Sequence, residues 1–297
     1  MKTDGENPEL AVLALADYAE KFTAGDAEAY LIVNRKMQEY PCMFGFTKMS
    51  ENFADSEKLF MQIEEKAREL GYKQIIGPLN YTTWLSYRWA IDHLDMEIYP
   101  DCDNPLFYVE QIKKLGYREL YTYRSAMIDL DNPLYELGRK SYQSRLDEGY
   151  EFKFIADNPS KEQIKEIYDI SATAFKGGPL YSELPKEFFE KIYLQWMQRI
   201  KPIAYVAYKD GKAVGFVMGY MNPYSSDFVS KTSAVLPEYQ KHGVYAALVY
   251  LGFKHVKDMG LNQMYFHYQC EQRSTFQRFA NDKELQEKHY AIFVKDL

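Results

Sequence analysis

The sequence predicts a mixed α/β fold, a mostly antiparallel sheet flanked by helices, in which one unit is used twice. Three observations carry that prediction. In the second half strand-like runs alternate with helical ones around a hairpin signal, Lys209-Asp210-Gly211-Lys212. Two amphipathic helices leave by the same pattern, acidic-apolar-Gly-x-x-Gln-apolar, at Glu69 to Ile75 and at Asp258 to Met264. Two strand-like segments end alike, Tyr123, Asp129 and Leu130 recurring as Tyr290, Asp296 and Leu297.

Taken in order, the elements follow from periodicity and punctuation. Leu59, Ile63, Ala67 and Leu70 keep a helical period from Asp55 to Leu70, and Gly71 closes the helix. The spacing of the two echoes leaves about 22 extra residues in the first half, and Gly77 to Pro105, with Pro78 and Pro100 between, is read as the insertion. Asn132-Pro133 opens a polar helix across 131–149 that links the halves. Beyond it a strand is expected at Tyr150 to Ala156, helices at Ser160 to Phe175 and Lys186 to Arg199, and hairpin strands at Pro202 to Tyr208 and Ala213 to Tyr220. Phe228 to Val235 is a strand, Gly243 to Met259 a helix and Gln263 to Tyr268 a strand; a short helix, Arg273 to Phe279, and a last strand, His289 to Lys295, finish the chain. The domains are therefore set at 1–130, a linker helix at 131–149, and 150–297.

Composition narrows the function. The chain has 297 residues with a net charge of −7, which argues against a broad nucleic-acid surface, since phosphate neutralisation needs clustered Lys and Arg. Acidic residues at Asp4, Glu6 and Glu9 precede the only early apolar run, so no export signal is read, and no stretch of about 18 apolar residues is present. Three separated cysteines, Cys42, Cys102 and Cys270, fit reduced thiols, and the five histidines have no metal-ligand spacing. A cytoplasmic protein without metal or membrane partner is expected. Aromatics make up 16% of the chain, a surplus that fits large cores or stacking surfaces.

The segment richest in chemistry is Val235-Leu236-Pro237-Glu238-Tyr239-Gln240-Lys241-His242-Gly243-Val244-Tyr245-Ala246. A strand ends, Pro237 breaks it, and a helix begins over a turn holding Gly243. Unpaired amides at such a helix start, with the positive end of the helix dipole, bind phosphate, and Lys241 and His242 add charge beside them.

At these residues the sequence resembles the GCN5-related N-acetyltransferase (GNAT) superfamily, whose acyl-CoA signature is Gln or Arg, two residues, Gly, one residue, then Gly or Ala. Gln240 and Gly243 match, and Tyr245 stands where the small residue is usual. The resemblance implies an acyl-CoA N-acyltransferase fold and acetyl-CoA, or another acyl-CoA, as cofactor. It implies Ala234, Val235 and Leu236 along the pantetheine arm, the amides of Lys241, His242, Gly243, Val244, Tyr245 and Ala246 on the pyrophosphate, and Gln272 near the pantetheine. The backbone N–H after Val235 is expected to meet the oxyanion. For proton transfer the candidates are His267, Asp227 and Tyr290; Phe279 falls where the superfamily often has a Tyr acid. The first half reads as a degenerate copy without the signature. The implied reaction is acyl transfer to an amine of a small molecule or peptide. Two other readings stand beside it: a binding or sensing protein that kept the fold without the chemistry, and a transferase of the same duplicated fold using aminoacyl-tRNA.

Overall fold

The computed structural model describes residues 8–155, 159–272 and 286–297. After a 3-10 turn at Pro8–Leu15, the first half runs β1 (Tyr18–Ala24), β2 (Ala27–Val33), β3 (Cys42–Lys48), α1 (Phe53–Glu69), β4 (Gln74–Gly77), β5 (Trp89–Ala90), α2 (Leu106–Lys114) and β6 (Arg118–Asp129). A connecting helix, α3 (Pro133–Asp147), is capped by the Asn132 side chain, which accepts from the Leu134 N–H at 2.8 Å. The second half runs β7 (Tyr150–Ile155), α4 (Lys161–Ala174), α5 (Lys186–Ile200), β8 (Ile203–Lys209), β9 (Lys212–Met221), β10 (Phe228–Val235), α6 (Val244–Asp258), β11 (Gln263–Cys270) and β12 (Glu287–Asp296). The expected short helix at Arg273 to Phe279 lies outside the described residues, as does the Ala156 end of the first strand of this half.

Most expected elements stand within two residues of their sequence bounds. The β8–β9 hairpin turns at Asp210 and Gly211, both at positive φ (50° and 76°), the primed geometry that an Asp-Gly pair favours. Ser160 and Gln163 form a reciprocal capping box at the start of α4. The strands of the first fifty residues carry no comparably sharp punctuation; β1 and β2 turn at Gly25 (φ 54°).

One twelve-stranded sheet spans the chain in the order β1-β2-β3-β4-β12-β6-β11-β10-β9-β8-β7, with β5 also paired to β12. Two pairs are parallel, β3 with β4 and β10 with β11, and the others are antiparallel. The last strand of each half pairs inside the other: β12 lies against β4, and β6 against β11. The sequence echoes meet in this exchange. Gln74 Nε2 donates to Asp296 Oδ1 at 2.6 Å, and Gln263 Nε2 donates to Asp129 Oδ1 at 2.7 Å. The Leu297 N–H binds the Lys73 carbonyl and the Leu130 N–H the Asn262 carbonyl, each at 2.8 Å. Tyr123 and Tyr290 face one another where β6 and β12 pair.

Helices cover the sheet through their apolar stripes. Leu59, Phe60, Ile63 and Ala67 of α1, and Val244, Leu248, Phe253 and Val256 of α6, are fully buried. Each of the larger side chains among these contributes about 1.5–3 kcal/mol of burial, which fixes the start of α6 against the sheet. Helix α3 lies beside α6 at Gly138, where an added Cβ would stand 2.7 Å from the Ala246 carbonyl oxygen.

Candidate functional site

Strands β10 and β11 are hydrogen-bonded only from Phe228/Met264 to Ser230/Phe266. A bulge at Lys231 follows, between Ser230 and Thr232, and β10 then continues along β9 while β11 continues along β6. A wedge opens between two parallel strands. The Leu236 N–H binds the Val214 carbonyl on β9 at 2.9 Å. Successive amides alternate, so those of Ser233 and Val235 point into the wedge. The N–H after Val235 is therefore already engaged and does not serve as the expected oxyanion donor; the Ser233 backbone and the Val235 N–H face the wedge.

The wedge leads to the start of α6. Gly243 holds φ 81° at the N-cap and has no side chain to satisfy the first amides, and the first turn contains no acidic residue. The first intrahelical bond is from the Ala247 N–H to the Gly243 carbonyl, 3.0 Å, which leaves the Val244, Tyr245 and Ala246 amides at an open positive end. Lys241 and His242 are exposed just before it. Helix α3 adds a cation that sequence reading missed. Arg145 Nη1 lies 3.3 Å from where a Cβ on Gly243 would stand, and its buried Nε has no hydrogen-bond partner among the described residues.

The equivalent places in the first half are closed. β3 and β4 pair at Met43/Ile76, but the Leu79 N–H then binds the Phe44 carbonyl at 2.9 Å and Asn80 Oδ1 accepts from the Phe46 N–H at 2.7 Å. The insertion thus fills its own wedge. At α1 the Asn52 side chain caps the helix and Asp55 occupies the first turn, which repels an anion.

The remaining expected residues fall in different places. Gln240 Nε2 donates to the Val235 carbonyl at 2.9 Å, so it ties the strand end to the turn. Tyr245 is 46% exposed and its hydroxyl reaches Ser233, across the mouth of the wedge. The Gln272 carboxamide lies 3.1 Å from the Thr122 hydroxyl on β6. His267 is fully buried, with Nδ1 2.7 Å from Ser125 Oγ and Nε2 3.3 Å from the Pro100 carbonyl. Burial, then the nearby Arg88 charge, holds its imidazole well below the usual range, so it is neutral and occupied at both nitrogens. Asp227 accepts from Ser225 in the turn before β10, at the paired end of the strand and away from the wedge. Tyr290 is fully buried behind Tyr268, with its hydroxyl 3.3 Å from Ser125, and burial pushes its pKa up. None of these three lines the cleft.

That cleft, ≈ 1730 Å³, runs from the wedge across to the insertion of the first half. Its wall accounts for part of the aromatic surplus, with Trp84, Tyr87, Tyr123, Trp196 and Tyr268 among its lining. Two cations missed by sequence reading also face it. Arg88, from the insertion, is stacked with its guanidinium carbon 3.6 Å from the Tyr87 ring centre and 3.4 Å from that of Tyr268. Lys231, on the β10 bulge, sits 4.3 Å over the Trp196 ring, and burial together with Arg88 lowers its pKa to about 8. The signal that could have found Lys231 was a lone cation in an otherwise uncharged strand.

Residues 164–279 match the acetyltransferase (GNAT) family. No curated protein matches the sequence. Among solved structures the chain is similar to a tandem GNAT protein from the clavulanic acid biosynthesis pathway, 10% identical, covering 91% of this chain and 78% of that one, TM-score 0.51. It is also similar to a GCN5-related glucosamine N-acetyltransferase region of a fungal multi-domain GH3 β-N-acetylglucosaminidase, at 14% identity over 97% of this chain and 34% of that one, TM-score 0.52. A GCN5-related N-acetyltransferase from Kribbella flavida aligns at 12% identity over 93% and 55%, TM-score 0.50. At these identities the likeness concerns the fold.

Proposed function

Because residues 164–279 match the acetyltransferase (GNAT) family, we propose that this protein is an acyl-CoA-dependent N-acyltransferase, with acetyl-CoA its donor and the second half its cofactor site. The observation that carries the reading is the contrast between the halves: α6 starts with uncapped amides beside an open wedge, whereas α1 is capped and its wedge is filled. The residues present suit a diphosphate with a peptide-like arm. The amides of Val244, Tyr245 and Ala246, with Lys241, His242 and Arg145, would hold the diphosphate. The Ser233 backbone groups and the Val235 N–H would hold the arm as an added strand does.

When bound, the cofactor supplies an acyl group activated as a thioester. The chain's own residues then have three tasks. The wedge keeps the arm straight along β10; the aromatic walls line the approach; and Lys231, at the bulge where the strands part, presents a positive charge to the cleft through which the acceptor arrives. The acceptor amine approaches through the cleft from the first half's insertion.

Thiol release from acetyl-CoA, followed with the full-length protein across a panel of primary amines, tests this. Amine-dependent release with a mass gain of one acetyl group is the expected result; binding of acetyl-CoA without transfer to any amine would instead favour the non-catalytic reading.

A further inference from the structure

Arg88 is a buried cation without a carboxylate. It is 7% exposed, its Nε has no hydrogen-bond partner among the described residues, and its Nη1 donates to the Tyr87 hydroxyl at 2.7 Å. The Tyr87 and Tyr268 rings grip the guanidinium on its faces, with Tyr123 at 4.7 Å, so only the edge of the fork is left to turn toward the cleft that Arg88 lines. The acids nearby are committed elsewhere. Asp101 pairs with Lys288 at 2.6 Å, and Glu9 accepts from Asn80 and from Ser86. Lys231, in the same cleft, has no ion pair among the described residues; Arg88 repels it more strongly than Glu9 attracts it. Glu9, Glu28, Asp101 and Asp103 also line the cleft, but none makes an ion pair with either cation among the described residues, and two such cations facing one cleft is a costly arrangement for stability alone. A planar fork fixed by stacking suits a planar or tetrahedral oxyanion held through two oxygens.

We propose that Arg88, with Lys231 across the cleft, forms an oxyanion-binding site for the acceptor, which is therefore an amine that also carries a carboxylate or a phosphate. Only the assignment to the acceptor rests on the acyl-transfer reading; the anion site stands on its own geometry. The occupant bridges the two halves, Arg88 coming from the insertion of the first and Lys231 from the bulged strand of the second. This gives the insertion a purpose beyond filling its own wedge.

The test uses the full-length protein with ¹³C-dimethylated lysines, titrated with two matched probe pairs: glycine against glycinamide, and 2-aminoethyl phosphate against ethanolamine. The expected result is that an oxyanion-bearing member shifts the Lys231 methyl resonance and raises its pKa, while the member of the same pair that lacks the oxyanion does not. Arg88→Gln should weaken that response about tenfold or more, and Arg88→Lys should restore part of it. A response to glycine alone assigns a carboxylate, and one to the phosphate alone assigns a phosphate. Equal responses within each pair, or none up to roughly tens of millimolar, would overturn the site. If Arg88→Gln does not fold, the wild-type comparison decides by itself. Acetyl-CoA added to the same sample reads the α6 site separately: an oxyanion response without acetyl-CoA binding would remove the cofactor reading and leave this one standing.

Discussion

Lys231 is held at a cost that pH reveals. Its folded-state pKa, about 8, lies below that of an exposed lysine, so the unfolded chain binds the proton more readily. Between about pH 8 and the ordinary lysine range near 10.4, the unfolded state carries a proton that the folded state has released. Stability contributed by this group therefore rises with pH through that window, and below it the penalty is fully present. Lys231→Met should raise the thermal midpoint at pH 7 and flatten its rise above pH 8; an unchanged pH profile would show that the amine is not desolvated. Tyr245 poses a second residue-scale question, because its hydroxyl reaches Ser233 over the wedge mouth. Tyr245→Ala should tighten acetyl-CoA binding, read by calorimetry, whereas weakened binding would make the ring part of the site. Neither Lys231 nor Arg88 is legible as a site residue in the sequence. Their meaning depends on burial and on a neighbour from the other half of the chain; the one local sign is that Lys231 is the single charge in its strand, and Arg88 leaves none.

At the scale of elements, the β10–α6 unit was readable because its signals are local: a strand, Pro237, Gln240, a glycine at positive φ and an apolar helical stripe all fall within one short segment. The role of Gln240 was not, since its bond to the Val235 carbonyl makes it a tie between strand and turn. Helix α3 was expected as a linker between halves, and its bounds agree closely. Its contact with α6 was invisible, because Gly138 and Arg145 reveal themselves only against Ala246 and Gly243. Gly138→Val should destabilise by about 1–3 kcal/mol in urea unfolding, through overpacking. Arg145→Gln should weaken acetyl-CoA binding about 10- to 150-fold, the worth of one charge-assisted phosphate contact.

Across the whole molecule, the echoes seen in the sequence correspond to residues that touch: Gln74 with Asp296, and Gln263 with Asp129. A repeat found by comparing segments implies two similar units, but it carries no information about which copy each closing strand joins. The sheet order supplies that, with β12 beside β4 and β6 beside β11. Cutting the chain between the halves would thus leave each without the strand that fills its sheet. Residues 1–130 and 150–297 made separately should show no cooperative thermal transition, and mixing them from denaturant should restore one; two independently cooperative fragments would contradict the exchange. No helix among the described residues is long and apolar enough to cross a membrane.

The exchange also sets the division of labour, one half offering an open helix start and wedge, the other a closed wedge and Arg88. Calorimetric titration of the intact protein with acetyl-CoA tests that division most directly. The predicted result is saturable one-to-one binding in about the micromolar to sub-millimolar range, weakened by Arg145→Gln in the second half and unaffected by Asn52→Ala at the corresponding helix start of the first. Absence of heat at roughly millimolar ligand, or binding lost through Asn52 and not through Arg145, would contradict it.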